Sequence, residues 1–277
     1  MSTLADTKMR SGFRVKRLDP FGVELTGDLS QPLSAEDQAR LVGLVDEHGI
    51  VVARDQHLTM DQHRGLLEPL GRIAELDFKY VSLDDKILNR DNMGFHSDLA
   101  YAHTPYKYAS LHAIDVVPGE SATWFVSGAR AYEKLSAHQK KRLAALTTTA
   151  VWGTRTHRTI GYDLPADGPR AIRPAVIYHH RTAQPILYLN EIQHCRFNEL
   201  SRDDSDALVQ ELFAIIYAPG ERLTHEWQPG DLVIWDNLAL QHGRPGLERL
   251  SRRHLQRVTV ADVSGADMIP QYIKLDQ

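Results

Sequence analysis

Short runs in which apolar and polar residues alternate recur along the whole chain, and they constrain its fold more than any other feature. Alternation with a period of two is typical of strands that bury one face, and short apolar runs of similar length are typical of fully buried strands. The runs are FRVKRL (13–18), GVELTG (22–27), IVVA (50–53), YASLHAIDVV (108–117), SATWFV (121–126), TTTAVWG (147–153), AVIYHH (175–180), ILYLNE (186–191), LTHEWQ (223–228), DLVIWDN (231–237) and LQRVTVADV (255–263). So many short strands predict a mostly β protein.

Helical segments lie between these strands, and each begins at a Ser or Thr that can cap it. Ser34 and Ser201 are each followed three residues later by an Asp, which is a variant of the capping-box pattern. The remaining predicted caps are Thr59, Ser127 and Ser136, and Gly71 is the predicted stop of the helix that follows Thr59. No linker or repeat divides the chain, so we expect a single domain over 1–277, a sandwich or jelly roll with flanking helices.

The composition narrows the possible partners. The chain has 277 residues, of which 42% are hydrophobic, and a net charge of −4 with no long basic run. Nucleic acid is therefore not an expected partner. No stretch of about 18 apolar residues predicts a membrane span, and the polar start is not a secretory signal. Because a single cysteine, Cys195, excludes an internal disulfide, we expect a cytoplasmic protein.

A long segment without helical periodicity, residues 75–105, contains the residues that point to chemistry. A loop of this length in a compact domain is usually functional, so we expect 75–105 to be an active-site loop or lid. Near its end, His96 and Asp98 are separated by one residue. If they lie on a strand, the two side chains project from the same face and offer one nitrogen and one oxygen to a divalent metal.

The C-terminal part of the chain offers the groups that such a site still needs. His242 follows an apolar strand and can supply a third ligand. Two His and one carboxylate leave open positions on the metal, as in non-haem Fe(II) oxygenases. Arg253 and Arg257 share a strand face, and a guanidinium can hold a carboxylate through two hydrogen bonds.

These motifs, in this order and spacing, resemble the Fe(II)- and 2-oxoglutarate-dependent dioxygenases of the taurine dioxygenase (TauD/TfdA) family. The resemblance covers nearly the whole chain and implies a double-stranded β-helix, which is a cupin-like jelly roll, and a homo-oligomer, either a dimer or a tetramer. The motifs that carry the resemblance are FHSD (95–98), SATWF (121–125), YLNE (188–191), QPGDLVIWDNLALQH (228–242) and RRHLQRVTV (252–260).

The resemblance implies a role for each matching residue. His96, Asp98 and His242 hold Fe(II), while Arg253 and Thr123 hold the far carboxylate of 2-oxoglutarate. With O2 as the second co-substrate, the reaction releases succinate and CO2 and oxidises a C–H bond by hydrogen abstraction. The carboxylate of Asp98 disfavours halogenation, because halogenases of this type have a small residue there. Hydroxylation, desaturation, cyclisation and fragmentation stay open.

The substrate is less constrained. By resemblance, Asn92 and Arg257 face it, and Tyr101 is a further candidate from the 75–105 segment. An arginine there predicts a small carboxylate or sulfonate. Taurine itself is not favoured, because GRIAELDFKYVS (71–82) lacks the His that sulfonate users have in this region. An amino acid or a natural-product intermediate fits at least as well.

Two other readings stay open at this point. One is a cupin-like metal enzyme that uses the same three ligands without 2-oxoglutarate, although Arg253 and Thr123 then have no ligand to hold. The other is a non-catalytic, ligand-binding jelly roll. Of the remaining histidines, we expect His179 and His180 to lie on a strand and turn without binding metal, and His225 to lie at the surface.

Overall fold

The computed structural model describes residues 12–74, 79–83, 91–151, 170–247 and 250–263. The description below refers to these residues. The strands are β1 (Arg14–Arg17), β2 (Val23–Thr26), β3 (Ile50–Ala53), β4 (Tyr80–Ser82), β5 (Met93–His96), β6 (Tyr108–Val116), β7 (Ala122–Ser127), β8 (Thr147–Val151), β9 (Arg170–Pro174), β10 (Val176–Tyr178), β11 (Pro185–Leu187), β12 (His194–Phe197), β13 (Leu223–Glu226), β14 (Leu232–Asp236), β15 (Leu240–Arg244) and β16 (Arg253–Val260). The helices are α1 (Ala35–His48), α2 (Met60–Leu67), α3 (Gly128–Lys134), α4 (Ala137–Leu143) and α5 (Arg202–Ile216).

Two sheets form the body of the protein. The large sheet has the strand order β1-β2-β3-β14-β6-β16-β4, and the small sheet has the order β13-β7-β15-β5. Neighbouring strands are antiparallel except β2 and β3, which are parallel. A three-stranded sheet, β12-β8-β9, and the β10-β11 hairpin extend the fold beyond the small sheet. The mostly β architecture with helices outside is therefore confirmed.

The apolar core between the two sheets forms because each central strand turns one face inward. Its largest fully buried members include Phe125, Trp227 and Trp235. A second core lies on the other face of the large sheet, where α1 and α2 cover it. A third lies between α5, α3 and α4 and the outer strands. Burying an aromatic side chain of this kind contributes about 1.5–3 kcal/mol, so these contacts fix the spacing of the sheets.

The predicted helix caps are confirmed. Ser34, Thr59, Ser127, Ser136 and Ser201 each accept a hydrogen bond from the backbone N–H three residues later. The helix after Thr59 ends earlier than expected, at Leu67, and a 3-10 turn over Glu68–Leu70 then runs to Gly71. Pro69 explains the change, because it has no N–H to continue the α-helical ladder.

Several strands were not predicted. The 75–105 segment contains β4 and β5, so its described part is not loop throughout, and its role as a lid stays a prediction. Strand β9 begins at Arg170, inside residues 154–172, where the Gly and Pro pattern favours an exposed excursion. The remainder of that stretch, 154–169, lies outside the described residues, as do the last two residues of the predicted strand TTTAVWG. In the described part of the chain, no helix is long and apolar enough to span a bilayer.

Candidate active site

The site is built around two histidines on paired strands of the small sheet. Strands β5 and β15 are antiparallel, and their register places His96 directly opposite His242. The two ring centroids are 4.2 Å apart. Directly opposed residues of a sheet are the closest cross-strand neighbours, so the register brings together two ligands that are 146 positions apart in the sequence.

Asp98 completes the group, but it does so from a turn. Strand β5 ends at His96 and Asp98 lies in the turn that follows, so the pair lies at the end of a strand, and its two side chains still approach one position. Its Oδ1 atom lies 3.5 Å from His96 Nε2 and 3.8 Å from His242 Nε2. One ligand atom from each residue lies within 4.8 Å of the others. Those separations suit one ion held at about 2.0–2.2 Å from each atom.

The protonation states suit a metal. His96 Nδ1 lies 3.1 Å from the backbone oxygen of Gly94, which leaves Nε2 for the metal. Burial, with a smaller effect of His96, lowers the pKa of His242 to about 3, so its imidazole is neutral. Burial by itself would raise the pKa of Asp98, but the guanidinium of Arg257 holds that pKa well below its usual range. Two neutral imidazoles and a carboxylate are the donor set of the facial triad.

Two residues that sequence reasoning missed hold the turn that carries Asp98. Asn237, which is fully buried, accepts a hydrogen bond from the Asp98 backbone N–H at 2.8 Å and donates to the Asp98 carbonyl at 3.0 Å. Arg173 on β9 donates to the backbone carbonyls of Ala100, Ala102 and His103. The only sequence signal for Asn237 is its place directly after a buried strand, and Arg173 has none.

Arg253 and Thr123, which are predicted to hold the far carboxylate of 2-oxoglutarate, are both buried. Arg253 on β16 is only 5% exposed, and its Nε and Nη1 atoms have no hydrogen-bond partner among the described residues. Burial and the nearby Arg244 lower its pKa to about 10. A buried cation without a partner is costly, so this guanidinium calls for an anion. Thr123, on the inward face of β7, is also buried.

The predicted substrate-side residues lie around the Asp98 turn in different environments. Arg257 Nη2 lies 2.5 Å from Asp98 Oδ2, and its guanidinium lies 5.3 Å from the ring centroid of Tyr106. Asn92 is exposed and lies immediately before β5. Tyr101 is 7% exposed, in the turn after Asp98. The structure therefore pairs Arg257 with the carboxylate of Asp98.

Among the described residues, the other histidines do not join this group. His179 is buried, and its Nε2 atom lies 3.2 Å from Asp236 Oδ2. The expectation that His225 lies at the surface is wrong. Its side chain is buried, and its Nε2 atom lies 3.1 Å from a carboxylate oxygen of Asp231. Burial lowers the pKa of His225, which favours the neutral imidazole beside that carboxylate.

Comparison with known proteins finds the same family that the motifs resemble. The sequence profile described as "Taurine catabolism dioxygenase TauD, TfdA family" matches residues 14–259. The (S)-phenoxypropionate/alpha-ketoglutarate-dioxygenase of Sphingobium herbicidovorans is 30% identical over 264 residues, which cover 84% of this chain and 90% of that protein. Pentalenolactone F synthase of Streptomyces arenae is 28% identical over 181 residues, which cover 60% of each chain.

Solved structures agree on the fold. The crystal structure of a taurine dioxygenase from Burkholderia xenovorans superposes with a TM-score of 0.78 at 24% identity, covering 90% of this chain and 91% of that one. At that identity the likeness shows the fold alone. It confirms the predicted jelly roll.

Proposed function

Because this chain belongs to the TauD/TfdA family of 2-oxoglutarate-dependent dioxygenases, we propose that His96, Asp98 and His242 hold its Fe(II) and that its substrate is a small carboxylic acid. The enzyme class and its requirement for Fe(II), 2-oxoglutarate and O2 follow from the family. Membership favours an oxygenase over a cupin-like enzyme without 2-oxoglutarate and over a non-catalytic jelly roll. When bound, the iron supplies the redox chemistry that couples oxidation of 2-oxoglutarate to succinate and CO2 with removal of hydrogen from the substrate.

The three ligands do their part by being correctly protonated before the metal arrives. His242 is neutral and Asp98 is ionised at neutral pH, so neither residue has to release a proton when a cation binds. The Gly94 carbonyl fixes the His96 ring so that Nε2 points to the shared position. Arg257 holds the second oxygen of Asp98, which leaves Oδ1 for the metal. Asp98 would then hold the metal through one oxygen, which would leave positions for the co-substrates.

The observation that carries the proposal is the unpartnered guanidinium of Arg253. Its buried Nε and Nη1 atoms would meet the far carboxylate of 2-oxoglutarate, and the Thr123 hydroxyl would donate to the same carboxylate. The pairing replaces a buried charge without a partner by a charge-assisted hydrogen bond, which is about twice as strong as a neutral one. Neither residue needs a carboxylate in an enzyme that does not use 2-oxoglutarate.

The substrate proposal rests on the positive charge of Arg257 beside the Asp98 turn. The Arg257 guanidinium donates to Asp98 Oδ2, and Asn92 and Tyr101 flank the same turn. We propose that these three residues line the substrate side. The relative from Sphingobium herbicidovorans is named for phenoxypropionate, a small carboxylic acid. A sulfonate, an amino acid or a natural-product intermediate with an acidic group has the same charge, whereas taurine is disfavoured by the absence of His from 71–82.

The proposal is tested by supplying 2-phenoxypropionate or its methyl ester to the iron-loaded enzyme and measuring succinate. The two compounds share the aryl group and differ in charge. We expect the acid, and not the ester, to accelerate succinate formation, and Arg257→Met to remove that difference. Equal acceleration by the two compounds would show that charge is not recognised. If neither responds, a panel of amino acids and aliphatic acids with paired esters repeats the comparison.

Two further features belong to the proposal. We expect the enzyme to act in the cytoplasm and to form a dimer or a tetramer. Sedimentation velocity of the purified protein measures the mass directly, and a monomer would contradict the second expectation.

A further inference from the structure

Trp227 is connected to the co-substrate side of the site by one hydrogen bond. It follows β13 directly, it is fully buried, and its backbone N–H donates to the carbonyl of Ser121 at 3.0 Å. Its indole Nε1–H donates to the hydroxyl oxygen of Thr123 at 2.9 Å. The donor and the acceptor both lie inside the protein, where a hydrogen bond is stronger than in water.

That bond determines what the Thr123 hydroxyl can do. A hydroxyl has one proton to donate and two lone pairs, whereas an indole N–H can only donate. Since Trp227 occupies one lone pair of Oγ1, the hydroxyl proton must point away from the indole. The proton of the Thr123 hydroxyl is therefore directed to the side away from the indole, where it can be donated to a neighbouring acceptor.

We propose that Trp227 is a positioning residue for 2-oxoglutarate: it orients the Thr123 hydroxyl as a donor to the far carboxylate. The inference rests on the proposed role of Thr123 and extends it by one residue. Trp227 acts through Thr123 and does not itself contact the co-substrate. Its effect depends on the Thr123 hydroxyl and on a carboxylate that accepts from it.

The indole is itself held in place. His225 lies opposite Thr123 on the paired strands, and its ring meets the Trp227 ring edge-on, with centroids 4.5 Å apart and planes at 86°. His225 Nε2 lies 3.1 Å from Asp231 Oδ2, and Arg54 Nη1 lies 2.5 Å from the same oxygen. The buried His225 ring thus packs against the indole and beside the Asp231–Arg54 pair, and these contacts limit the movement of the indole.

Packing of the indole alone does not explain the hydrogen bond between Trp227 and Thr123. The Nε1 atom of Trp235 is buried in the same core without a hydrogen-bond partner. This core therefore accommodates a large indole whose N–H is unsatisfied. Trp227 differs in that its N–H meets a residue of the co-substrate pocket.

The test is a double-mutant cycle on binding. Trp227→Phe and Thr123→Val are made singly and together, and the Kd of 2-oxoglutarate is measured by calorimetry on Mn(II)-loaded protein without O2. Losing one neutral hydrogen bond weakens binding by about 2- to 10-fold. We expect that loss for Trp227→Phe in the native background and no further loss when Thr123 is already Val. Trp124→Phe, on the opposite face of β7, is the matched control and leaves the Kd unchanged.

A second ligand separates positioning from general damage. 2-Oxopentanoate has the keto acid end of 2-oxoglutarate but a methyl group in place of the far carboxylate. Trp227→Phe should leave its Kd unchanged, while a distorted pocket would weaken both ligands. If Trp227→Phe does not fold, 3-benzothienylalanine at position 227 removes the N–H while keeping the shape of the ring.

The outcomes test the role of Trp227 and the role of Thr123 separately. An unchanged Kd for 2-oxoglutarate in Trp227→Phe, or an equal loss in the native and Thr123→Val backgrounds, overturns the role of Trp227. An unchanged Kd in Thr123→Val alone overturns the proposed role of Thr123 itself. Coupling between the two substitutions, confined to the ligand with the far carboxylate, supports both.

Discussion

His96 and His242 lie directly opposite each other on β5 and β15, with ring centroids 4.2 Å apart. The spacing of these two strands therefore sets the spacing of two of the proposed metal ligands. Asp98 is the third proposed ligand, and its turn is held by distant residues. The site depends on strand separation and on this turn, and each can be changed without touching a ligand.

Gly243→Ala tests the strand separation. A Cβ at Gly243 would lie 2.9 Å from the Met93 carbonyl oxygen and 3.3 Å from backbone atoms of Gly94. Because these are backbone atoms of β5, the strand must move away from β15. We expect Fe(II) affinity to fall by about 10-fold or more, comparable with loss of a group that orients a ligand. Competition with a fluorescent chelator measures it.

Gly65→Ala is the matched control. Nothing lies within 4 Å of a Cβ at Gly65, which is in the middle of α2. Alanine in a helix interior is about 0.5–1 kcal/mol more favourable than glycine, so this variant should be slightly more stable and bind iron normally. Equal Fe(II) affinity in both variants would mean that strand spacing does not limit the site.

Asn237→Ala tests the turn. Its amide holds both backbone groups of Asp98, so removing it frees the carboxylate to move. We expect Fe(II) affinity to fall by about 10- to 100-fold. Asn198 is a suitable control, since its side chain bonds to Thr147 and Thr149, away from the metal ligands. A similar loss in Asn198→Ala would point to general destabilisation instead.

Arg253→Met tests the unpartnered guanidinium through stability. Without 2-oxoglutarate, the buried Nε and Nη1 atoms lack partners, so the variant should be as stable as the native protein or up to about 3 kcal/mol more stable. It should also lose the stabilisation by 2-oxoglutarate, which is about 2.7 kcal/mol at 100 times the Kd. Urea denaturation with and without 2-oxoglutarate measures both effects.

Arg244→Met provides the comparison for that experiment. Arg244 is as buried as Arg253, but it donates to the carbonyls of Asp91 and Pro245. Its replacement leaves those carbonyls without that donor and should reduce stability. The interpretation of Arg253 is wrong if both variants lose stability equally in the absence of ligand.

His63 should determine part of the acid sensitivity. It is buried between α2 and the large sheet, with Nε2 2.7 Å from Ser110 Oγ and Nδ1 3.0 Å from Gln256 Nε2. Burial, with a smaller effect of His112, lowers its pKa from 6.5 to about 3. The unfolded chain therefore binds a proton that the folded protein does not, and stability falls as the pH drops from about 6.5 towards 3.

Protonation of His63 in the unfolded chain should lower the free energy of unfolding by about 2 kcal/mol between pH 7 and pH 5. His63→Gln has no such proton to bind, so the pH dependence of its free energy of unfolding should be flatter by that amount. The same slope in both proteins would show that His63 is already protonated when folded.

The sequence predicted the features that local patterns encode. Capping residues such as Ser34 and Ser201 start their helices as expected, and the strand IVVA has the predicted bounds, Ile50–Ala53. The residue types at 96, 98 and 242 indicated a metal site, and the structure brings them together. These are cases in which a residue and its near neighbours carry enough information.

The rest depends on contacts between distant parts of the chain. The turn at Asp98 is set by Asn237, 139 positions away. Strand β15 has a Gly beside its His and no clear alternation, so only pairing with β5 and β7 identifies it. His225 was predicted at the surface because it precedes a turn, although Leu223, His225 and Trp227 alternate as an inward face. Its Nε2 atom lies 3.1 Å from Asp231, a residue beyond that turn.

The most direct test of the central claim is an anaerobic titration of the metal-free protein with Fe(II) and then 2-oxoglutarate, followed by visible absorption. We expect a weak metal-to-ligand charge-transfer band only when both are present, and we expect His242→Ala to abolish it and Arg253→Met to shift its appearance to much higher 2-oxoglutarate concentrations. Fe(II) binding without a band at saturating 2-oxoglutarate, or a band that persists in His242→Ala, would contradict the assignment of this site.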